Sequence, residues 1–271
     1  MSYPTLRWPK GKLYACTTSW DDGRSQDRRV IELFNAHGVK GTFNLNSSNH
    51  QIGESTPPPK HIAAGDIASL FSGHEVAVHG ATHPFPSQIA PNLWLEDVVR
   101  DKRALESLVG YTIRGAAWPY GDFNAEAIEA MRVAGIQYCR SVNSTGNFGL
   151  PAAGTWLTWA PTCHHLNDSL AKWTVFRGRT PHARLFYLWS HSYEMDEKDG
   201  WAWLEEFCKR AGPDPEVWHA TNIEVFDYIN AWRALSFSCD ARKAHNPSAL
   251  NVWVDYEGKT VELKPGKNSV G

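Results

Sequence analysis

The stretch Cys16-Thr17-Thr18-Ser19-Trp20-Asp21-Asp22-Gly23 decides how the rest of the chain is read. Leu13 to Thr18 is an apolar and β-branched run of the kind that makes a buried strand. It leads straight into two adjacent carboxylates and a glycine. Neighbouring side chains on a strand point to opposite faces, so one of the two acids faces inward. It does so at the C-terminal end of a strand, where α/β folds carry their chemistry. A buried carboxylate has to be paired, protonated or bound to a metal. The pair therefore suits one metal ligand plus one general base, with a helix-capping Asp-Asp-Gly turn as the plainer alternative.

Outward from this stretch, strand and helix patterns alternate. Ser25 to His37 has apolar residues at helical spacing, with Gly38 at the C-cap position. Val39 to Leu45 reads as a strand, and Pro57-Pro58-Pro59 as a connection into a helix ending near Gly73. His74 to Val78 is a third strand, and Pro91 to Val109 a long helix. A strand near Ile113 to Trp118, a helix from Asn124 to Ala134 and a strand from Gln137 to Val142 continue the traffic. Arg184 to Ser190 is a further strand, with helices over Gly200–Ala211 and Asn222–Ala234. Repeated βα units predict an α/β fold with a parallel sheet or barrel. The tail has short alternating runs around Glu257-Gly258-Lys259, a hairpin signal. Residues 1–235 are thus expected to form the barrel and 236–271 a small β-rich extension, packed on the barrel or on a partner subunit of a homo-oligomer.

A chain of 271 residues can bury a large core. The formal charge of −2 gives no electrostatic case for nucleic acid or an acidic membrane. No apolar run is long enough to span a bilayer. The N-terminal stretch has no apolar signal core, and the five cysteines are dispersed rather than paired. Both features predict a cytoplasmic protein with reduced thiols. Thirteen tryptophans invite sugar stacking, although core packing is their usual role.

Three more strand ends carry chemistry. In Gly73-His74-Glu75-Val76-Ala77-Val78-His79-Gly80-Ala81-Thr82-His83, one helical turn would aim His79 and His83 at a common point. With a carboxylate from a neighbouring strand they make a three-ligand metal site with open positions. Trp118-Pro119-Tyr120-Gly121 is a turn that can offer a backbone N–H to a substrate oxygen. Leu188-Trp189-Ser190-His191 ends another strand in a histidine able to protonate a leaving group.

In this order, the four stretches resemble the NodB-homology polysaccharide deacetylases, carbohydrate esterase family four. Ser19-Trp20-Asp21-Asp22-Gly23 is similar to that family's first motif and Gly73 to His83 to its second. Gly38-Val39-Lys40-Gly41-Thr42-Phe43 is similar to its second strand. The resemblance covers about residues 13 to 192. It implies a distorted (β/α) barrel and hydrolysis of an N-acetyl or other small acyl group on an amino sugar. By the same resemblance Asp21 is the general base, and Asp22, His79 and His83 hold one divalent ion, zinc by preference. The Tyr120 N–H helps hold the oxyanion and His191 is the general acid. Trp118, Pro119, Trp189, His164 and His165 are the expected lining of the substrate cleft.

The chain also departs from the family. Ala117 stands where the family has an arginine against the base, which leaves Arg114 or Arg140 to supply that charge. Asn143 stands where an aspartate supports the acid, with Glu194 as the alternative. Pro161-Thr162-Cys163-His164-His165 reads as cleft lining or structural hydrogen bonds rather than a second metal site. Two other functions stay open: an allantoinase-like amide hydrolase, and a non-catalytic carbohydrate-binding protein.

Overall fold

The computed structural model describes residues 3–50 and 60–270. The Pro57-Pro58-Pro59 connection lies outside them. In chain order the strands are β1 (Thr5–Arg7), β2 (Tyr14–Asp21), β3 (Thr42–Leu45), β4 (Glu75–Val78), β5 (Gly115–Ala117), β6 (Tyr138–Arg140) and β7 (Cys163–His164). They continue with β8 (Arg184–His191), β9 (Val217–His219), β10 (Ser236–Phe237), β11 (Lys243–Asn246), β12 (Val252–Tyr256), β13 (Lys259–Leu263) and β14 (Gly266–Ser269). The helices are α1 (Asp27–His37), α2 (Ala64–Leu70), α3 (Pro91–Val109), α4 (Ala125–Val133), α5 (Ser169–Phe176), α6 (Gly200–Ala211) and α7 (Asn222–Arg233).

Strand β2 is the pivot. All eight of its residues are buried, because it has sheet neighbours on both edges and packed layers on both faces. It pairs in parallel with β8 along its whole length, with β3 over Ser19 to Asp21 and with β9 over Tyr14 to Cys16. The sheet runs β6-β5-β4-β3-β2-β8-β7, every pair parallel. The segment after β6 bridges the gap between the sheet's two edges. Trp159 exchanges backbone hydrogen bonds with Cys139 and Ser141 beside β6, and the Thr162 N–H donates to Tyr187 O in β8. The result is the distorted α/β barrel that the resemblance implies, built on the parallel strands that the alternation predicts, with Asp21, His79 and His191 gathered at one end of it.

The other end is plugged by polar groups. Glu75 accepts from Thr42 Oγ1 (2.8 Å), Tyr138 OH (2.7 Å) and the Ile223 N–H (2.9 Å) at the start of α7. Burial pushes the Glu75 carboxyl up to about 7. Most tryptophans are core: Trp8, Trp20, Trp94 and Trp118 are all fully buried.

The tail forms two small antiparallel sheets, β1-β12-β13 and β10-β11-β14. Strand β1, which has no alternation to reveal it, joins the first of them at Thr5 to Arg7. The predicted hairpin is present. Glu257 and Gly258 both take positive φ (53° and 77°), the handedness that matches strand twist. No helix among the described residues is long and apolar enough to cross a membrane.

Gly115 is required by space. A Cβ there would stand 2.2 Å from the Tyr138 ring, which is tethered through its hydroxyl to Glu75. Gly115→Ala should therefore destabilise the fold by about 1–3 kcal/mol through overpacking. Thermal unfolding checks this, and an unchanged Tm would mean that the ring has room to move.

Candidate active site and metal centre

Asp21 closes β2 and is 2 % exposed. Asp22 then takes a left-handed φ of 78° and Gly23 one of 61°. Strand alternation alone would send the two carboxylates apart; the left-handed step brings the second back beside the first. His79 Nε2 consequently stands 3.8 Å from both Asp21 Oδ2 and Asp22 Oδ1. Non-glycine residues held in this region are strained and tend to cluster at functional sites.

The histidine pair converges, but not on a helical turn. Residues 79–83 form an irregular loop with Gly80 at φ 75° and His83 at φ 53°. Helix α3 holds that loop with two carboxylates. Asp101 accepts from the Ser47 N–H (2.7 Å) and the His79 N–H (3.1 Å). Asp97 accepts from Thr82 Oγ1 at 2.8 Å. Gly80 lets the loop pass: a Cβ would meet Trp94 and Asp97 at 3.1 and 3.2 Å.

His79 Nδ1 lies 2.9 Å from the Ala117 carbonyl and donates to it, which leaves Nε2 as the nitrogen turned toward Asp21 and Asp22. His83 Nε2 faces it at 3.1 Å and lies 3.7 Å from Asp22 Oδ1. Burial, with His79 adding to it, pulls His83 down to about 4, so the ring is neutral at ordinary pH. Two imidazole lone pairs and one carboxylate meeting at a point fit a divalent ion such as zinc.

Beyond Asp21 lies His191, its Nε2 3.9 Å from Asp21 Oδ2. Arg140, at the end of β6 and fully buried, donates to Asp21 Oδ2, and Asn44 Nδ2 donates to Oδ1 at 2.9 Å. Burial by itself would raise the Asp21 pKa. Arg140, His79 and His191 outweigh it and hold the carboxyl well below the usual range. Arg140 also lies over the Trp189 ring, 4.6 Å from its centroid. The two sequence candidates are thereby separated: Arg140 meets Asp21, while Arg114 forks onto Asp227 at 2.8 and 2.6 Å.

The carboxylate at His191 is Glu194. Its Oε2 is 3.4 Å from His191 Nδ1 and accepts from the His191 N–H at 3.0 Å. Burial lowers the His191 pKa, but Glu194 and Asp21 overcome it and the net shift is upward. Asn143 is exposed.

These groups line one cavity of about 580 Å³, with Arg24, Tyr120, Val142, Trp189 and Tyr193 on its walls. Tyr120 sits at φ 57° in the Pro119–Gly121 turn, its ring stacked on Phe85 (3.8 Å between centroids). Its N–H has no internal acceptor among the described residues. Trp118 forms the cavity floor from a fully buried position, with its indole N–H donated to Leu157 O at 2.8 Å. Pro119, His164 and His165, expected along the cleft, are not part of it. Pro119 is buried inside its turn, His164 packs edge-on against Trp189, and His165 lies against His164 and Trp203. Arg24, Asn44, Asp97, Asp101 and Tyr193 escaped the sequence reading. A signal existed only for Asn44, a polar residue inside an apolar strand.

The polysaccharide deacetylase family model matches residues 9–139. No curated protein matches the chain. A putative polysaccharide deacetylase from Mycobacterium smegmatis aligns at 17% identity over 85% of this chain and 94% of its own, with a TM-score of 0.62. A family 4 acetyl xylan esterase from Clostridium thermocellum, in complex with a cobalt ion, aligns at 16% identity over 78% and 90%, with a TM-score of 0.52. A mutant family 4 pseudoenzyme with restored activity aligns at 15% identity over 82% and 70%, also at 0.52. At these identities the solved structures establish a shared fold.

Asp101 touches no ligand position directly, yet it holds the His79 backbone. Asp101→Asn can accept only one of its two N–H bonds, and its amide NH2 opposes the other. Affinity for zinc at the triad should fall by about 10- to 100-fold while the fold is kept. Competition with a chromophoric chelator reads this out, and unchanged affinity would remove Asp101 from the site.

Proposed function

Residues 9–139 match the polysaccharide deacetylase family model, and from that premise we propose that the chain is a metal-dependent hydrolase that removes an N-acetyl or similar small acyl group from an amino sugar. One observation carries this reading. Asp21 Oδ2 stands between His79 Nε2 at 3.8 Å and His191 Nε2 at 3.9 Å, so a charged base is flanked by a metal triad and an acid. In this proposal Asp22, His79 and His83 hold one divalent ion, zinc by preference. When bound, the ion supplies a Lewis acid that polarises the acyl carbonyl and acidifies the attacking water.

Every other step falls to the chain's own groups. Asp21, kept ionised by Arg140 and aimed by Asn44, takes a proton from the water as the new C–O bond forms. The free N–H of Tyr120 faces the oxygen that gains charge. His191, protonated at Nε2, gives its proton to the sugar nitrogen as the C–N bond breaks. The products are a carboxylic acid and a free amine. Residues 1–235 would carry this chemistry, with 236–271 as a β-rich extension outside it. The carbohydrate-binding alternative gains no support, because Arg140 fills the place that Ala117 leaves empty.

Acetate release from a panel of N-acetylated and O-acetylated sugars tests the proposal. A chelator should abolish release and added zinc should restore it; release indifferent to both would overturn the metal reading. Asp21→Asn should retain the ion and lose about a hundred- to ten-thousand-fold in turnover. Turnover within tenfold of the parent would exclude Asp21 as the base.

The pH dependence carries a definite sign. His191 works protonated, so activity falls as pH rises through its raised pKa. Glu194→Gln removes the anion that raises it, and the alkaline limb of kcat/KM should move to lower pH. With one equivalent of zinc present, a limb that stays in place would separate Glu194 from the acid.

A further inference from the structure

A second group of ligand atoms lies on the far side of His191, and it is not the contiguous cysteine–histidine stretch. Cys163 faces the core, where burial pushes its thiol up to about 12, so it offers no thiolate. His164 points the other way, as strand alternation requires. Its Nε2 lies 3.0 Å from Glu194 Oε2, with His191 Nδ1 at 3.4 Å and His165 Nδ1 at 3.6 Å from the same oxygen. One donor atom each from His164, His191 and Glu194 lie within 4.8 Å of one another, as do those of the Asp22-His79-His83 set.

We propose that His164, His191 and Glu194 form a second, weaker site for a divalent transition metal, and that filling it opposes turnover. Two imidazoles and one carboxylate are an ordinary ligand set for zinc. The set is built in advance of the ion. His164 ends β7 and His191 ends β8, two hydrogen-bonded parallel strands, so the rings are presented from a rigid edge. Trp189 packs edge-on against both rings, at 4.6 Å from His164 and 5.6 Å from His191. Glu194 is fastened by the His191 N–H and by Ser190 Oγ, 3.0 and 3.1 Å away. The side chains remain 13, 21 and 18 % exposed, which leaves a path for an ion and room for water as a further ligand.

His165 is the member least suited to ligation, because its Nδ1 is already engaged by Ser190 Oγ at 2.8 Å. The consequence for turnover comes from geometry. The Nδ1 taken by the ion belongs to the ring whose Nε2 faces Asp21, so the ion holds that ring on the side away from the substrate.

Equilibrium dialysis of the full chain against graded zinc, followed by elemental analysis, tests this without reference to a substrate. Two ions per chain should bind, the second at least about tenfold more weakly than the first. His164→Ala and Glu194→Gln should each abolish the second ion and keep the first. Asp22→Ala should do the reverse, so that failure at either site is read separately. Release of acetyl groups by the parent should decline as zinc rises past one equivalent, and this decline should disappear in His164→Ala relative to that variant's own activity at one equivalent. One ion per chain at every zinc concentration overturns the proposal. So does a second ion that survives both the His164 and the Glu194 substitutions.

Discussion

The buried ion pair between Arg140 and Asp21 is the constraint on which the rest of the site depends. Arg140 lies in β6 and Asp21 ends β2, with β5, β4 and β3 between them in the sheet. Only a sheet curled into a barrel can bring these two ends together. Both side chains are essentially out of contact with water. Removing one member of such a pair leaves an uncompensated buried charge and costs about 3–5 kcal/mol. The pair also fixes the state of the site. Arginine keeps its proton at any working pH, so the carboxylate opposite stays charged. Asn44 and the Trp189 face complete the cage around it.

Around this pair the site is assembled from strand ends that leave regular geometry. Asp22, His83 and Tyr120 are three of the eight non-glycine residues with positive φ among the described residues. Each stands where a strand gives way to a loop, and each turns a backbone or side chain toward the cavity. Conformations of this kind cost about 1–3 kcal/mol apiece and persist only where their surroundings enforce them. The enforcement is visible at the His79–His83 loop, held from behind by Asp97 and Asp101 of α3. A long, regular helix thus serves as the rigid support for an irregular loop.

His83 and His191, which line the same cavity, are shifted in opposite directions. His83 is pulled down by burial and by a neighbouring ring, which suits a ligand that must offer a lone pair. His191 is raised because Glu194 and Asp21 outweigh its burial, which suits a group that must carry a proton. Two residues of one type, in one cavity, are thus prepared for different work by their neighbours.

The sequence by itself determined the order of elements and the residue types at their ends. Sequence patterning placed helices at about Pro91–Val109 and Gly200–Ala211, where the structure has them, and the Asp-Asp and His-x-x-x-His stretches named the metal triad and the base as candidates. Local signals suffice there, because helical periodicity and strand-end motifs are properties of contiguous residues. Strand β1 was invisible because three residues show no period, and its partner lies at the other end of the chain. The choices between Arg140 and Arg114, and between Glu194 and Asn143, were left to the tertiary structure. Arg140 reaches an aspartate 119 positions away, across the barrel opening. Glu194 reaches His191 through a tight turn that no strand or helix pattern announces. Such pairings follow from barrel curvature and strand register, which are set by the packing of the whole core.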